Sequence, residues 1–379
     1  IGLNPFSLSR PPGRARPQKT EDPMLKLNGL FASKKQIAGL DIGASSIKIA
    51  EIAEGADGYV LQNFASLPLA KGIIADGLIA NPNALAERIK ELLKISRCKA
   101  RTVVTSLSGY SVIAKKIGFP SMDEESLREL ISDEIEKYLP FGDMKDVNFD
   151  FQILGSSEMS PGQMEVFLVA AKKDVVQSYV ETIKKAGLDV LIMDVDSFAL
   201  ETMYEENYDY GHEDVCILVN IGASMTNINV VKGGASIFIR DFPLGGYSIT
   251  ENLQDKTGVS FEEAERMKLE KSASGDEHSR DELLTYADPL LLEIERSVDY
   301  FRSTYPGKFI KQILLCGGTA RMPGIAEALL QRLNVEVEIA DPFRKVSADK
   351  KAFSAEDLKE IGPQASVGVG LAMRRIGDK

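Results

Sequence analysis

The chain has 379 residues, of which 44% are hydrophobic and 27% charged, and its formal net charge is −11. This length can form two lobes with separate cores, and the acidic charge argues against a nucleic-acid partner because a phosphate backbone would be repelled. No apolar run reaches the roughly 18 residues that a membrane-spanning helix needs, and the first residues lack the apolar core of a cleavable signal.

The cysteines and histidines predict neither disulfides nor a zinc site. Cys98, Cys216 and Cys316 follow no regular spacing, and the last two lie in apolar runs, which favours reduced, buried thiols. The two histidines are too isolated to suggest zinc ligands. We therefore expect a cytoplasmic protein.

The amino-terminal part of the chain divides into a leader and a first pair of strands. Residues 1–33 are rich in proline and basic residues and are predicted to be disordered. The apolar run 37–40 is typical of a strand buried on both faces, and residues 47–52 alternate as a half-buried strand does. Gly43 to Ser46 can form a tight turn between them, which predicts a β-hairpin.

Mixed patterns follow. A capping box of Ser121 and Glu124 predicts a helix that runs to Pro140. Residues 148–154 and 164–170 alternate like paired strands, and a helix is predicted over 174–186. With the continuing alternation of strands and helices, these elements indicate an α/β protein with a small inserted α+β subdomain at about 102–187.

An internal repeat is the most informative feature of the sequence. The tetrapeptide Ile-Gly-Ala-Ser occurs at 42–45 and again, unchanged, at 221–224. Each copy follows an apolar run and precedes an alternating one, so the repeated unit is strand–turn–strand. Two ordinary β-hairpins with glycine turns are the alternative reading.

The chemistry of both turns suits a phosphate group. Glycine lets backbone N–H groups approach an anion closely, and hydroxyl donors accompany both turns, namely Ser45, Ser46, Ser224 and Thr226. Asp41 is placed to hold Mg²⁺ through water, and Lys48 can neutralise phosphate charge.

A third glycine-rich segment follows the apolar run 313–316. Gly317, Gly318 and Thr319 form a predicted strand-to-helix turn, and the next helix is predicted over 325–333. Such a turn permits an adenine ring to pack flat against the backbone. Together with the two hairpins, it predicts a nucleotide site.

These three segments resemble the signature of the actin, Hsp70 and sugar-kinase superfamily. Residues 41–48 are similar to its first phosphate loop, 220–226 to its second, and 315–325 to its adenosine motif. The resemblance implies an actin-like (ribonuclease H-like) two-lobed ATPase fold that binds ATP and Mg²⁺. The implied nucleotide-binding residues are Asp41, Gly43, Ala44, Ser45, Ser46, Lys48, Asn220, Gly222, Ser224, Thr226, Gly317, Gly318 and Thr319.

Three further segments extend the resemblance. The predicted helix 261–269 looks like the ribose-contacting helix of the bacterial actins, which would make Glu265 and Lys268 nucleotide-binding residues. Residues 193–199 would be the first connecting segment, with Asp196 near the attacking water. Residues 364–374, rich in small side chains, would be the second connecting helix.

Within the superfamily, the chain is most similar to the PilM family of type IV pilus assembly. The similarity rests on the segments 39–48, 119–122, 138–141, 195–200 and 243–246, and on an inserted subdomain like that of FtsA. It implies an ATP-binding adaptor at the cytoplasmic face of the inner membrane, peripheral to it through its partners. The adaptor would bind the cytoplasmic tail of PilN and, through PilN, connect with PilO and the pilus motor complex.

The implied domain limits are 34–200 for the first lobe, 212–362 for the second and 363–376 for the connecting helix. An FtsA-like filament-forming protein is the alternative function, but the chain ends soon after the connecting helix, without a linker and amphipathic helix. A small-molecule kinase is a third alternative, which would need a substrate-facing acidic base in an enlarged cleft. An Hsp70-type chaperone is less favoured, because no residues remain for a substrate domain. A homo-oligomer or ring is compatible with the sequence.

The second phosphate loop departs from the superfamily at Asn220, where an acidic residue is usual. Asparagine can accept a hydrogen bond but cannot act as a base or bring charge to Mg²⁺. Weak or absent hydrolysis is therefore expected, unless Asp196 activates the water instead.

Overall fold

A computed structural model describes residues 36–55, 58–134, 137, 146–157, 160–349 and 352–375. The predicted leader 1–33 lies outside the described residues. The strands are β1 (Ile37–Ile42), β2 (Ser46–Gly55), β3 (Gly58–Pro68), β4 (Ile74–Ala75), β5 (Leu78–Ile79), β6 (Thr102–Leu107), β7 (Val112–Pro120), β8 (Val147–Ser156), β9 (Gln163–Lys172), β10 (Asp189–Val195), β11 (Val215–Ile221), β12 (Thr226–Lys232), β13 (Ala235–Phe242), β14 (Ile310–Cys316), β15 (Glu336–Ile339) and β16 (Val346–Ala348).

The α-helices are α1 (Pro82–Ser96), α2 (Glu124–Glu134), α3 (Lys173–Lys185), α4 (Asp196–Asn207), α5 (Gly246–Thr257), α6 (Phe261–Ala273), α7 (Glu277–Thr304), α8 (Ile325–Leu333) and α9 (Ala355–Met373). Their alternation with the strands is the α/β pattern that the sequence predicts. The helix predicted over 325–333 has the bounds of α8.

The first sheet carries the first Ile-Gly-Ala-Ser turn. Its strand order is β10-β6-β1-β2-β3-β16, in which β1 pairs antiparallel with β2 and parallel with β6. The apolar residues of β1 are buried on both faces because α1 covers one side of the sheet and α9 the other. The strand β16 belongs to this sheet, although residues 346–348 fall within the limits predicted for the second lobe.

The second sheet repeats this arrangement around the second turn. Its order is β13-β12-β11-β14-β15, with β11 antiparallel to β12 and parallel to β14. Along β11, Val215, Ile217 and Val219 pack towards α5 and α7, whereas Cys216 and Leu218 pack towards α4 and α9. Each sheet therefore has the same strand–turn–strand unit at its centre, with a parallel strand beside it, β6 in the first sheet and β14 in the second.

The inserted elements form a separate antiparallel sheet, β7-β9-β8. Leu127 and Ile131 of α2 cover one face of it, and the other face packs against α3 and Phe198. The small sheet begins at Val112, because the preceding strand β6 lies in the first sheet. The predicted limit at residue 102 includes β6 because a strand-like pattern does not indicate which sheet a strand joins.

The amino-terminal cap of α2 differs from the predicted one. The Oδ1 atom of Asp123, rather than the Ser121 hydroxyl, accepts the backbone N–H of Ser126 at 2.9 Å. The helix begins at Glu124, so Asp123 stands directly before its first residue, where a carboxylate also faces the positive end of the helix dipole. Residues 135, 136 and 138–140 of the predicted helix lie outside the described residues.

Two helices, α4 and α9, cross between the sheets and share one core with both. The crossing is close because Gly370 has no side chain: a Cβ atom there would lie 1.8 Å from the Ala199 carbonyl oxygen. At the end of α9, buried Arg374 forms an ion pair with buried Asp194 at 2.8 Å. The predicted second connecting helix, 364–374, coincides with the carboxyl-terminal half of α9 except for Arg374, which follows the helix.

Substituting Gly370 with alanine should therefore destabilise the protein. The added methyl group must push α4 and α9 apart, which we expect to lower the free energy of unfolding by about 3 kcal/mol, measured by chemical denaturation. Gly368→Ala is the matched control on the same helix, since its Cβ would meet only ordinary contacts at 3.9 Å. Because alanine has a higher helix propensity than glycine, Gly368→Ala should raise the free energy of unfolding by up to about 1 kcal/mol. Equal effects of the two substitutions would contradict the close crossing.

Candidate functional site

A cavity of about 420 Å³ lies between the two sheets. Three glycine-rich turns, the helix α6 and the amino-terminal end of α4 contribute to its walls. The predicted site residues that line it are Asp41, Gly43, Ala44, Ser45, Ser46, Lys48, Asp196, Asn220, Gly222, Ser224, Glu265, Lys268, Gly317, Gly318 and Thr319. Segments far apart in sequence thus meet at one cavity.

Asp41 and Lys48 form the charged floor beside the first turn. They are cross-strand partners on β1 and β2, and the Lys48 Nζ atom lies 3.0 Å from Asp41 Oδ2. Their side chains are only 10% and 12% exposed. The pair holds one cation and one carboxylate at the cavity surface in a fixed position.

The two Ile-Gly-Ala-Ser turns have the same backbone hydrogen bond. The Gly43 N–H donates to the Ser46 carbonyl at 3.0 Å, and the Gly222 N–H donates to the Met225 carbonyl at 2.9 Å. Each turn is closed in the same way. The sequence repeat is therefore also a repeat of local geometry.

The second turn is joined to the third glycine-rich segment. The Gly222 carbonyl accepts the Gly246 N–H at 2.9 Å and the Thr319 hydroxyl at 3.0 Å. Gly317 has a φ of +89°, and a Cβ there would lie 2.4 Å from the Ile221 carbonyl oxygen. Only glycine allows the strand β14 to turn this close to the second hairpin.

Thr226 is the predicted site residue that does not line the cavity. It is fully buried, and its hydroxyl donates to the Leu244 carbonyl at 2.7 Å. Its predicted role as a phosphate donor does not fit this position. The hydroxyl instead ties the start of β12 to the loop before α5.

Glu265 and Lys268 lie together on the cavity face of α6. The Lys268 ammonium donates to Glu265 Oε2 at 2.7 Å, to the Thr250 hydroxyl at 2.9 Å and to the Gly246 carbonyl at 3.0 Å. Burial lowers the pKa of Lys268, and the charge of Glu265 opposes that shift. The lysine is thus held as a second cation on the wall opposite Lys48.

Asp196 begins α4 and faces the cavity. Burial, and then the negative charge of Asp41, raise the pKa of Asp196 to about 7, against hydrogen bonds from Ser106 and Ser108. The Ser106 hydroxyl lies 2.5 Å from Asp196 Oδ1. A carboxyl group with such a pKa can bind and release a proton near neutral pH.

The cavity also contains polar side chains that sequence reasoning missed, among them Ser108, Tyr179, Asn227, Tyr247, Arg321 and Gln364. Asn227 carried a usable signal, because it is the cross-strand partner of Asn220 in the predicted hairpin. The Asn220 amide donates to Asn227 Oδ1 at 3.1 Å. Most of the others come from elements whose sequence carries no phosphate or nucleotide motif.

A known protein family matches the chain across both lobes. Residues 39–376 match the family described as type IV pilus assembly protein PilM. The chain belongs to the PilM family. A solved structure described as the PilM–PilN type IV pilus biogenesis complex is 31% identical, covers 89% of this chain and 98% of its own, and superposes with a TM-score of 0.80.

One more distant relative of this PilM-family chain is similar in sequence, and another is similar in fold. Cell division protein FtsA of Pseudomonas aeruginosa is 23% identical over 390 residues, covering 90% of this chain and 89% of its own. The ethanolamine utilization protein EutJ of Carboxydothermus hydrogenoformans is 17% identical, covers 88% of each chain and has a TM-score of 0.54. The predicted actin-like fold and the resemblance to the PilM family are confirmed.

None of the helices in the described ranges is both long and apolar enough to cross a membrane.

The raised pKa of Asp196 makes stability depend on pH. Folding disfavours its ionised form, so the wild type should lose stability as pH rises from about 4 through about 7. Asp196→Asn removes this titration. A shift of roughly three units corresponds to about 4 kcal/mol, and screening by water in the cavity should reduce this to about 2 kcal/mol.

Chemical denaturation at pH 5 and pH 8 measures the difference. We expect the Asn variant to gain stability relative to wild type at pH 8. Asp133→Asn, which removes an exposed carboxylate of α2, is the control and should show no such gain. A pH-independent difference between wild type and Asp196→Asn would contradict the assignment.

Proposed function

We propose that this PilM-family protein binds ATP with Mg²⁺ in the cavity between its lobes and acts as an adaptor in type IV pilus assembly. The main support for nucleotide binding is that two matched glycine turns and a third glycine-rich turn meet at one cavity. Its volume of about 420 Å³ lies within the range of small-molecule sites.

The donors around the cavity fit a polyphosphate. Lys48 and Lys268 supply cations from opposite walls, and hydroxyls of both hairpin turns, including Ser45 and Ser224, lie at the cavity surface. Gly318 leaves open space where a side chain would stand. A ligand with several negative charges would find donors on each side.

The acidic groups fit a magnesium ion that comes with the nucleotide. No cluster of three or more potential metal-ligating side chains occurs in the described ranges, so the protein has no dedicated cage there. Mg²⁺ commonly binds through one or two carboxylates plus substrate phosphates and water. Asp41 is the carboxylate that would hold it, and bound Mg²⁺ would neutralise phosphate charge.

The arrangement favours holding the nucleotide over hydrolysing it. Asn220 occupies the second loop, and its amide is engaged by Asn227, so neither side chain supplies a base. Asp196 is the remaining candidate for positioning water, because its raised pKa suits proton transfer. We infer slow hydrolysis, with Asp196 responsible for the activity that remains.

Two substitutions test nucleotide binding. Asp41→Ala removes the carboxylate for Mg²⁺, and Gly318→Val fills the open space in the third turn. Each should weaken ATP binding by at least tenfold, which corresponds to about 1.4 kcal/mol, in equilibrium dialysis with labelled ATP. Asp133→Ala is the matched control on α2. Unchanged affinity in both cavity variants would refute the site.

We propose that the adaptor half of the function is binding of the cytoplasmic tail of PilN at the inner membrane, with PilO and the motor complex reached through PilN. Support comes from the similar PilM–PilN complex, which covers 89% of this chain. The inserted subdomain of β7, β8, β9 and α2 supplies a surface outside the nucleotide cavity.

The resemblance to the PilM family implies an Ile-Asn-Leu-Leu-Pro type motif in that tail, and a peptide with this motif tests the adaptor role. We expect the protein to retain it in a pull-down, with or without ATP, because an extended apolar segment can bind a groove through side-chain pockets. A peptide of the same composition in scrambled order is the control. Equal retention of both peptides, or of neither, would contradict the proposed partner.

A further inference from the structure

The segment between β3 and β5, residues 69–77, forms a strap along one wall of the cavity. Ile74 and Gly77 line the cavity directly. At one end the Leu69 N–H donates to the Ser45 carbonyl of the first turn at 2.8 Å. At the other end the Gly77 carbonyl accepts the Tyr179 hydroxyl at 2.9 Å. The strap is thus anchored at both ends within the first lobe.

Lys71 projects from this strap to the second lobe. Its ammonium lies 3.6 Å from the centre of the Phe261 ring and 5.4 Å from that of Tyr247. It also lies 3.2 Å from Glu251 Oε1. These three partners belong to α5 and α6, and Tyr247 itself lines the cavity.

The partners of Lys71 form a prepared site for a cation. The rings of Tyr247 and Phe261 pack edge to face, with centres 5.2 Å apart, and Glu251 stands beside them. An ammonium over an aromatic face is attracted by the ring quadrupole, and the carboxylate adds to that attraction. Lys71, which belongs to the first lobe, can occupy this site only while the two lobes are close together.

The contacts of Lys71 can break readily because they are exposed to solvent. The Lys71 and Glu251 side chains are 48% and 53% exposed, so the pair is solvated and each contact is weak. Separation of the lobes would break the ion pair and both ring contacts at once. The contacts therefore favour the closed cleft without locking it.

We propose that Lys71 is an inter-lobe latch that keeps the cleft closed and slows the escape of the nucleotide. This inference rests on the proposed nucleotide binding and adds a positioning residue outside the three glycine-rich turns. Loss of the latch should increase the population of the open cleft, from which a ligand dissociates. The main effect should therefore be on the dissociation rate.

Stopped-flow release of a fluorescent ATP analogue tests the latch. Lys71→Met keeps the length of the side chain but removes its charge, and should accelerate release roughly three- to tenfold. Lys71→Arg should retain slow release. Lys90→Ala is the matched control, because Lys90 is similarly exposed and pairs with Glu87 of its own helix.

The salt dependence of the release rate distinguishes an electrostatic latch from a merely structural role of Lys71. Because exposed charge pairs are screened, release from wild type should accelerate with ionic strength, whereas release from Lys71→Met should respond less. Unchanged release in Lys71→Met, or equal acceleration in Lys90→Ala, would overturn the proposal.

Hydrogen–deuterium exchange without nucleotide tests closure separately from binding. Lys71→Met should increase exchange in peptides that cover the strap and the start of α6, whereas Lys90→Ala should not. If wild type does not retain the ATP analogue, the proposed nucleotide function fails, and this exchange result still decides whether the latch exists. Wild-type exchange in Lys71→Met would overturn it.

Discussion

The close crossing of α4 and α9 is the constraint on which the rest of the structure depends. Because Gly370 has no side chain, the backbone of α9 approaches Ala199 of α4, and both helices can share a core with the two sheets. The sheets are thereby held with their central hairpin turns towards one cavity. A site built from such distant segments requires this crossing before any of its side chains can act.

The charges within the cavity explain what kind of ligand it suits. Burial and the negative charge of Asp41 raise the cost of ionising Asp196, while Lys48 and Lys268 occupy opposite walls. Such a set of charges favours a polyanion that arrives with a cation, since both signs find partners. The proposed retention of nucleotide rests on this chemistry, whereas the family match identifies type IV pilus assembly.

Contacts between the lobes lie on more than one side of this cavity. Besides the Lys71 contacts, the partly buried Asp241 of β13 accepts the backbone N–H of Gly109 at 3.2 Å. Gly109 stands just before β7, the first strand of the inserted sheet. The relative position of the lobes is therefore physically connected to the root of the subdomain proposed to meet a partner.

Features that depend on neighbours in sequence were predictable from the sequence itself. The two hairpins, their glycine turns and the helix α8 follow from apolar periodicity and turn chemistry, which act over a few residues. The cap at Asp123 was missed because two acceptors stand close together there. Only the tertiary structure decided that Thr226 does not line the cavity, that Tyr179 lines it and that Lys71 lies at its edge. Their partners lie far along the chain, and no local pattern encodes a contact that exists only after the helices have crossed.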